Sequence, residues 1–201
     1  MFDLLIQNGV IVDGTGAPRY EADLAIQNGK IAKIAPHIAE PAAKVIDAKG
    51  MIVSPGFIDY HGHSDNTMLL DPDCYNYLEQ GVTTEITGQC GTGPAPYYEG
   101  GAEEAKLGLS KEDFEKMKAV TDSFESFMGY VSQRKYGNNI ALYVGQGNVR
   151  GRVMGFSAEK PTPAQMEEMK NWMRQAMECG YLGFTTGLVY APSVYAGEEE
   201  L

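Results

Sequence analysis

The stretch that decides the fold lies at residues 54–65, which read SPGFIDYHGHSD. Pro55 and Gly56 interrupt the chain, and the apolar run that follows them favours a β-strand. His61 and His63 stand at the carboxyl end of that strand. Because side chains at i and i+2 point to the same face of a strand, both imidazoles should project together. Two convergent imidazoles suit a metal ion such as zinc, so this stretch predicts a strand that ends in a metal site.

Upstream of this stretch, residues 1–55 consist of short β-prone runs separated by turns. Asn-Gly occurs at positions 8–9 and 28–29, each time between two such runs. Asn-Gly is the strongest local signal for a tight hairpin, because a type I′ turn needs positive φ at both central residues. Two further short strands are predicted around residues 45–46 and 51–53. We therefore expect residues 1–55 to form a small β-structure.

Downstream, the pattern changes to strands that alternate with helices. The predicted strands are 57–61, 82–87, 140–144 and 183–188, and the predicted helices are 71–80, 110–118, 123–134 and 163–178. Regular alternation indicates βαβ crossovers and a parallel sheet, so the fold class is α/β. Four such units fit a small open sheet, and they equally fit the first half of an eight-stranded barrel of about 250 residues. Periodicity leaves both arrangements open.

Cys90 lies in the segment TGQCGTG, residues 87–93, directly after the second predicted strand. Barrel enzymes place their active sites at this end of the strands, where a thiolate is a good zinc ligand. A lone cysteine is as readily a small buried apolar residue, and the residues alone do not decide. Cys74 and Cys179 fall within predicted helices and are interpreted as structural, and the isolated His37 is interpreted as a surface or structural residue. Three irregularly spaced cysteines do not indicate a disulfide framework.

The bulk composition is that of an ordinary globular protein, with 43% hydrophobic and 21% charged residues in 201. A formal net charge of −11 argues against nucleic acid or an anionic membrane as a partner. The acidic pairs at 103–104 and 167–168 are assigned to solvated helix faces. Without a signal peptide or a stretch of about 18 apolar residues, we expect a cytoplasmic protein. The glycines at 145 and 147 lack the third glycine and the following helix of a dinucleotide fingerprint.

Residues 54–65 resemble the opening of the metal site in the amidohydrolase superfamily, which includes hydantoinases, dihydroorotases and many deaminases. A narrower match is GVTT at 81–84 followed by GQCG at 88–91. It is similar to the N-acyl-D-amino-acid deacylases (D-aminoacylases), in which a cysteine takes the metal position that a carboxylated lysine fills in hydantoinases. Residues 183–190 contain no lysine, and GLVYAP at 187–192 resembles the deacylases' fourth-strand loop beside the substrate pocket. The resemblance covers nearly the whole chain.

This resemblance implies a TIM-like (β/α)8 barrel beside a small β-sandwich. Residues 1–55 would be an N-terminal β-sandwich segment, and residues 56–201 would be the first four βα units of a metal-dependent hydrolase barrel. His61, His63 and Cys90 would be metal ligands for one or two zinc ions.

The resemblance also implies a substrate-binding residue, further metal ligands and a catalytic residue. Tyr190 would contact the substrate. Two further histidine ligands and the catalytic aspartate would lie beyond Leu201, so no catalytic residue is expected in this chain. Gln146 departs from the histidine that relatives often carry at this position.

The implied reaction is hydrolysis of a small-molecule N-acyl-D-amino acid to a carboxylate and a D-amino acid. The alternatives are a cyclic amidase of the hydantoinase type, against which the missing fourth-strand lysine argues, and a non-catalytic fragment. We expect the 201-residue chain alone to be inactive. We also expect it to associate with itself, or with a carboxyl-terminal half, to cover apolar faces at Ile58, Ile86 and Leu142.

Overall fold

The computed structural model describes residues 1–101 and 110–201 and divides the chain into two compact units, Met1–Gly56 and Phe57–Leu201. The predicted acidic helix face at 103–104 lies outside the described residues. No helix in the described ranges is long and apolar enough to cross a membrane.

The first unit is one five-stranded sheet. Its strands are β1 (Phe2–Ile11), β2 (Tyr20–Gln27), β3 (Lys30–Ala35), β4 (Ala42–Asp47) and β5 (Ile52–Val53). The order is β3-β2-β1-β4, with β5 pairing with the far end of β1. The β1–β2 and β2–β3 pairs are antiparallel, whereas β4 and β5 run parallel to β1. A sandwich needs a second sheet, so the predicted sandwich stays a prediction.

The two Asn-Gly signals of this sheet have different outcomes. The hairpin at 28–29 is confirmed, because it joins the antiparallel strands β2 and β3. The hairpin predicted at 8–9 is wrong, since β1 continues through it. There the pairing steps from Ile6 opposite Leu24 to Gly9 opposite Ala22, which leaves one extra residue on β1. Asn8 takes a positive φ of 59° in this β-bulge, so the same backbone preference that favours a turn is used inside a strand.

The second unit alternates strands and helices, as the sequence predicts for an α/β protein. Its strands are β6 (Phe57–Asp59), β7 (Val82–Thr87), β8 (Asn139–Leu142), β9 (Val144–Gly145) and β10 (Phe184–Thr185). Its helices are α1 (Thr67–Leu70), α2 (Tyr75–Leu78), α3 (Lys111–Thr121), α4 (Phe124–Ser132), α5 (Gln146–Met154) and α6 (Pro163–Glu178). All strand pairs, β6–β7, β7–β8 and β9–β10, are parallel. Only Tyr143 separates β8 from β9, so these two short strands together occupy the position of the third predicted strand, 140–144. The four predicted strands therefore follow one another in chain order.

Three predicted helices are confirmed, and each begins at a capping side chain. The Ser110 and Ser123 side chains accept hydrogen bonds from the backbone at the starts of α3 and α4. Thr162 forms a capping box with Gln165 at the start of α6.

Two helix predictions are wrong. Of the helix predicted at 71–80, only Tyr75–Leu78 (α2) is helical. The short helix α1 ends before this range, and Pro72, which has no backbone N–H to continue a helix, stands between the two. A helix does follow Gly145, since α5 begins at Gln146. Gly147 and Gly151 lower the helix propensity of this segment and hide it from sequence analysis. Burial on all sides of its first six residues stabilises α5 instead.

The core of the second unit lies between the parallel strands and helices α3 to α6. Phe124 and Phe127 are fully buried in it, together with Val144 of β9. The apolar face predicted to be exposed is only partly so. Ile58 is 63% exposed, but Ile86 and Leu142 are buried, and Leu142 is part of the core cluster.

Candidate metal centre

His61 and His63 lie just beyond the carboxyl end of β6. The Gly62 N–H donates to the Ile86 carbonyl oxygen at 3.0 Å, which holds this segment against β7. The two imidazole ring centroids are 5.2 Å apart. Both rings therefore project from one side of the backbone, in the arrangement that the His-x-His spacing predicts.

Cys90 follows β7 and brings its thiol to the same place. The Cys90 Sγ lies 3.3 Å from Nε2 of His61. One ligand atom from each of His61, His63 and Cys90 lies within 4.8 Å of the others. Two ligands of one tetrahedral zinc, at about 2.1 Å for nitrogen and 2.3 Å for sulfur, stand about 3.5 Å apart. The distance between His61 and Cys90 thus matches two ligands of one zinc ion, and the nitrogen and sulfur donors are of the types that zinc binds.

The loop that carries Cys90 is held by hydrogen bonds on both sides. Gln89 donates its Nε2 to the Tyr60 carbonyl oxygen at 2.9 Å, directly before His61. The Gly91 N–H donates to Thr185 Oγ1 at 3.1 Å, and the Gly91 carbonyl oxygen accepts from the Gly147 N–H at 2.9 Å. Contacts to β6, β10 and α5 therefore fix the position of the thiol, whose own residue takes a left-handed φ of 56°.

Asp65 is a buried carboxylate beside this cluster that sequence analysis did not select. Its Oδ1 accepts from the Gly88 N–H at 2.5 Å, and its Oδ2 lies 3.9 Å from Nδ1 of His63. Burial raises the pKa of Asp65, although the hydrogen bond from the Gly88 N–H opposes the shift. The distance to His63 is too long for a hydrogen bond, so Asp65 is a neighbour of this imidazole and not a hydrogen-bond partner. The sequence signal was its place two residues after the second histidine.

Glu85 is a second acidic residue that sequence analysis missed. It lies in the middle of β7, is fully buried, and accepts hydrogen bonds from the backbone N–H and the hydroxyl of Ser64. The sequence signal for Glu85 was a charged residue in the middle of a predicted strand.

Tyr190 lies on the loop after β10, about half exposed. Gly187 of the same loop packs so closely on the Cys90 carbonyl oxygen that a Cβ there would overlap it. The loop with Tyr190 is thereby placed against the loop with Cys90. Gln146 is buried and donates to Glu200 at 2.9 Å, away from the imidazoles.

The remaining histidine and cysteines lie elsewhere. His37 belongs to the first unit, where its Nδ1 is 3.3 Å from Asp23 Oδ2. Cys74 is buried, and Cys179 caps the end of α6. Among the described residues, neither cysteine shares a cluster of metal-binding side chains.

Comparison with known proteins identifies relatives over the entire chain. The N-acyl-D-glutamate deacylase of Alcaligenes xylosoxydans xylosoxydans is 35% identical over 99% of this chain. The crystal structure of N-acyl-D-glutamate deacylase from Bordetella bronchiseptica, complexed with zinc and a phosphonate inhibitor, superposes with a TM-score of 0.86 at 36% identity over 99% of this chain. A crystal structure of D-aminoacylase superposes on all of it, with a TM-score of 0.88 at 32% identity.

These relatives are longer than the present sequence, which spans 40% of the Alcaligenes enzyme and 41% of each of the two solved chains. The model of the amidohydrolase family matches residues 44–195, which include both histidines and Cys90. The match covers most of the sequence, and the chain belongs to the amidohydrolase family.

Proposed function

We propose that this chain provides the first part of a zinc-dependent amidohydrolase that hydrolyses N-acyl-D-amino acids to a carboxylate and a D-amino acid. The observation that carries the proposal is the convergence of His61, His63 and Cys90 at the carboxyl ends of two adjacent parallel strands. Active sites lie at this end of the strands in barrel enzymes. The names of the relatives, N-acyl-D-glutamate deacylase and D-aminoacylase, supply the substrate class.

The fold that goes with this function is half of a (β/α)8 barrel. Residues 56–201 would be its first four βα units, and residues 1–55 would belong to a small β-sandwich. The parallel pairing of β6, β7 and β8, followed by β9 with β10, supports the barrel, since such strands follow one another in chain order.

The metal ligands would have distinct roles. His61 and His63 would bind as neutral imidazoles and Cys90 as a thiolate, with the Asp65 carboxylate beside His63. Bound zinc supplies a Lewis acid and lowers the pKa of a water ligand towards about 7. Proton transfer to the leaving amine would need the aspartate expected on a later strand. Tyr190 would border the substrate.

The cysteine favours a deacylase over a cyclic amidase. Residues 183–190 contain no lysine that could be carboxylated. Thr185, the last residue of β10, instead holds the Cys90 loop through its hydroxyl. The thiolate that follows β7 would therefore take the metal position that a lysine on the fourth strand fills in hydantoinases.

The 201-residue chain on its own would bind zinc weakly and would not turn over substrate. A catalytic zinc usually has three protein ligands and an open position for water. If the two imidazoles and the thiolate are divided between two ions, each ion has fewer than three of these ligands and needs residues from later strands. The exposed apolar side chains of Phe57 and Ile58 on β6 would be covered by another copy or by the rest of the barrel.

The test uses the intact protein and two cysteine variants. Cys90→Ala should lose the tightly held zinc and most hydrolysis of N-acetyl-D-glutamate or N-acetyl-D-methionine. The matched control Cys179→Ala, a cysteine outside the cluster, should keep both. The proposal fails if Cys90→Ala retains wild-type zinc content and activity, or if the wild-type protein opens hydantoin rings and leaves N-acyl-D-amino acids intact.

A further inference from the structure

Glu85 occupies a position behind the two histidines that has no role in the function proposed above. It is a fully buried carboxylate on a parallel strand, and charged side chains are almost never fully buried unless they are paired. A buried charge retained next to a candidate metal centre needs a physical reason.

Glu85 lies against the backbone of the segment that carries the two histidines. The Ser64 hydroxyl donates to Glu85 Oε2 at 2.6 Å, and the Ser64 N–H donates to Oε1 at 3.2 Å. Glu85 therefore contacts the residues between and after the two histidines, and it does not contact the imidazoles.

Gly62 shows how closely the carboxylate approaches the backbone. A Cβ at this position would overlap the Glu85 carboxylate, so only glycine fits between the two histidines. The close approach at Gly62 and the two hydrogen bonds from Ser64 together fix the backbone of the segment that holds the imidazoles.

A tyrosine closes the other side of the carboxylate. Tyr77 is a neighbour of Glu85: burial, and then the interaction with the Glu85 carboxylate, raise the pKa of Tyr77 to about 12. Tyr77 lies on α2, so the carboxylate connects that helix to the backbone beneath the histidines.

We propose that Glu85 is a positioning residue for the metal centre, which holds the His61–Ser64 backbone so that both imidazoles face Cys90. The inference rests on the proposed metal-binding function of His61, His63 and Cys90. Residues that orient metal ligands typically change metal affinity by about 10–100-fold when they are replaced. The effect of Glu85 would be transmitted through the backbone of Gly62 and Ser64.

The experiment measures zinc affinity of the metal-free intact protein by competition with a chromophoric chelator, with thermal unfolding of the same samples alongside. Glu85→Gln should weaken zinc binding about 10–100-fold, whereas the control Glu79→Gln, an exposed glutamate at the end of α2, should leave it within about twofold. Ser64→Ala, which keeps the charge of Glu85 and removes one hydrogen bond, should weaken binding in the same direction but less. If Glu85→Gln does not fold, the zinc affinity of Ser64→Ala tests the proposal in its place.

The outcomes separate the two proposals. If the wild-type protein binds zinc and both Glu85→Gln and Ser64→Ala bind it equally well, Glu85 is not a positioning residue, even if the variants melt at a lower temperature. If the wild-type protein binds no zinc, the proposed function is wrong and this inference falls with it.

Discussion

Replacement of Arg150 should strongly destabilise the second unit, because this guanidinium is completely buried. Its Nη1 lies 2.7 Å from Glu200 Oε2, with side-chain exposures of 0% and 3%. The other donors reach the carbonyl oxygens of Pro192, Ser157 and Glu159 at 3.1, 2.9 and 3.0 Å. One side chain thus connects α5 to the segment after α5 and to the loop that follows Tyr190.

Arg150→Met removes the cation and leaves the Glu200 carboxylate buried with Gln146 as its remaining partner. Breaking a buried ion pair in this way costs about 3–5 kcal/mol. For a chain of this size, that corresponds to a fall in melting temperature of roughly 6–20 °C. The double variant Arg150→Met/Glu200→Gln should recover part of the loss, since it no longer buries an unpaired charge.

Circular dichroism with urea and thermal unfolding measures these differences. Arg174→Met is the matched control, because Arg174 and Glu167 pair at 2.9 Å with both side chains more than half exposed. Such a surface pair contributes only about 0–1 kcal/mol. Equal effects of Arg150→Met and Arg174→Met, or a double variant less stable than Arg150→Met, would refute the reasoning.

Two further predictions concern stability. Burial raises the pKa of Asp23, but the N–H groups of Asn8 and Ile38 outweigh it and lower the pKa below its ordinary value of 3.8. The stability that its carboxylate adds is therefore complete above the pKa of the unfolded state and is lost as the pH falls through the lower pKa of the folded state. Asp23→Asn should lower the free energy of unfolding by about 1–3 kcal/mol in urea at pH 7. The difference between the variant and the wild type should shrink below pH 3.8. Thr162→Ala should cost about 1 kcal/mol in the same assay by removing the cap of α6, and an unchanged midpoint would contradict this.

The strands and capped helices were predictable because their signals are local. The capping serines and Thr162 stand directly before the helices that they start, and the Asn-Gly turn at 28–29 joins two strands adjacent in sequence. Asn-Gly at 8–9 misled the prediction because its positive φ serves a bulge whose partner, Asp23, is 15 residues away. Helix α5 was missed because tertiary burial, and not helix propensity, stabilises it.

The candidate site was predictable to the extent that each residue carries its own chemistry. The His-x-His spacing after a strand predicted two convergent imidazoles, although both lie just beyond the end of β6 and not on it. A thiol directly after the next parallel strand was expected to lie near them. The residues behind the site could not be found in this way. Asp65 and Glu85 act through contacts to Gly88 and Ser64 that only the pairing of β6 with β7 creates.

The central claim is that His61, His63 and Cys90 together bind a metal ion, and cobalt substitution tests it most directly. Co²⁺ added to the metal-free intact protein should produce a thiolate-to-cobalt charge-transfer band that saturates with the visible ligand-field bands. Cys90→Ser should abolish the charge-transfer band, and Cys74→Ser should preserve it. A wild-type protein that binds cobalt without the charge-transfer band, or a Cys90→Ser variant that keeps it, would contradict the account.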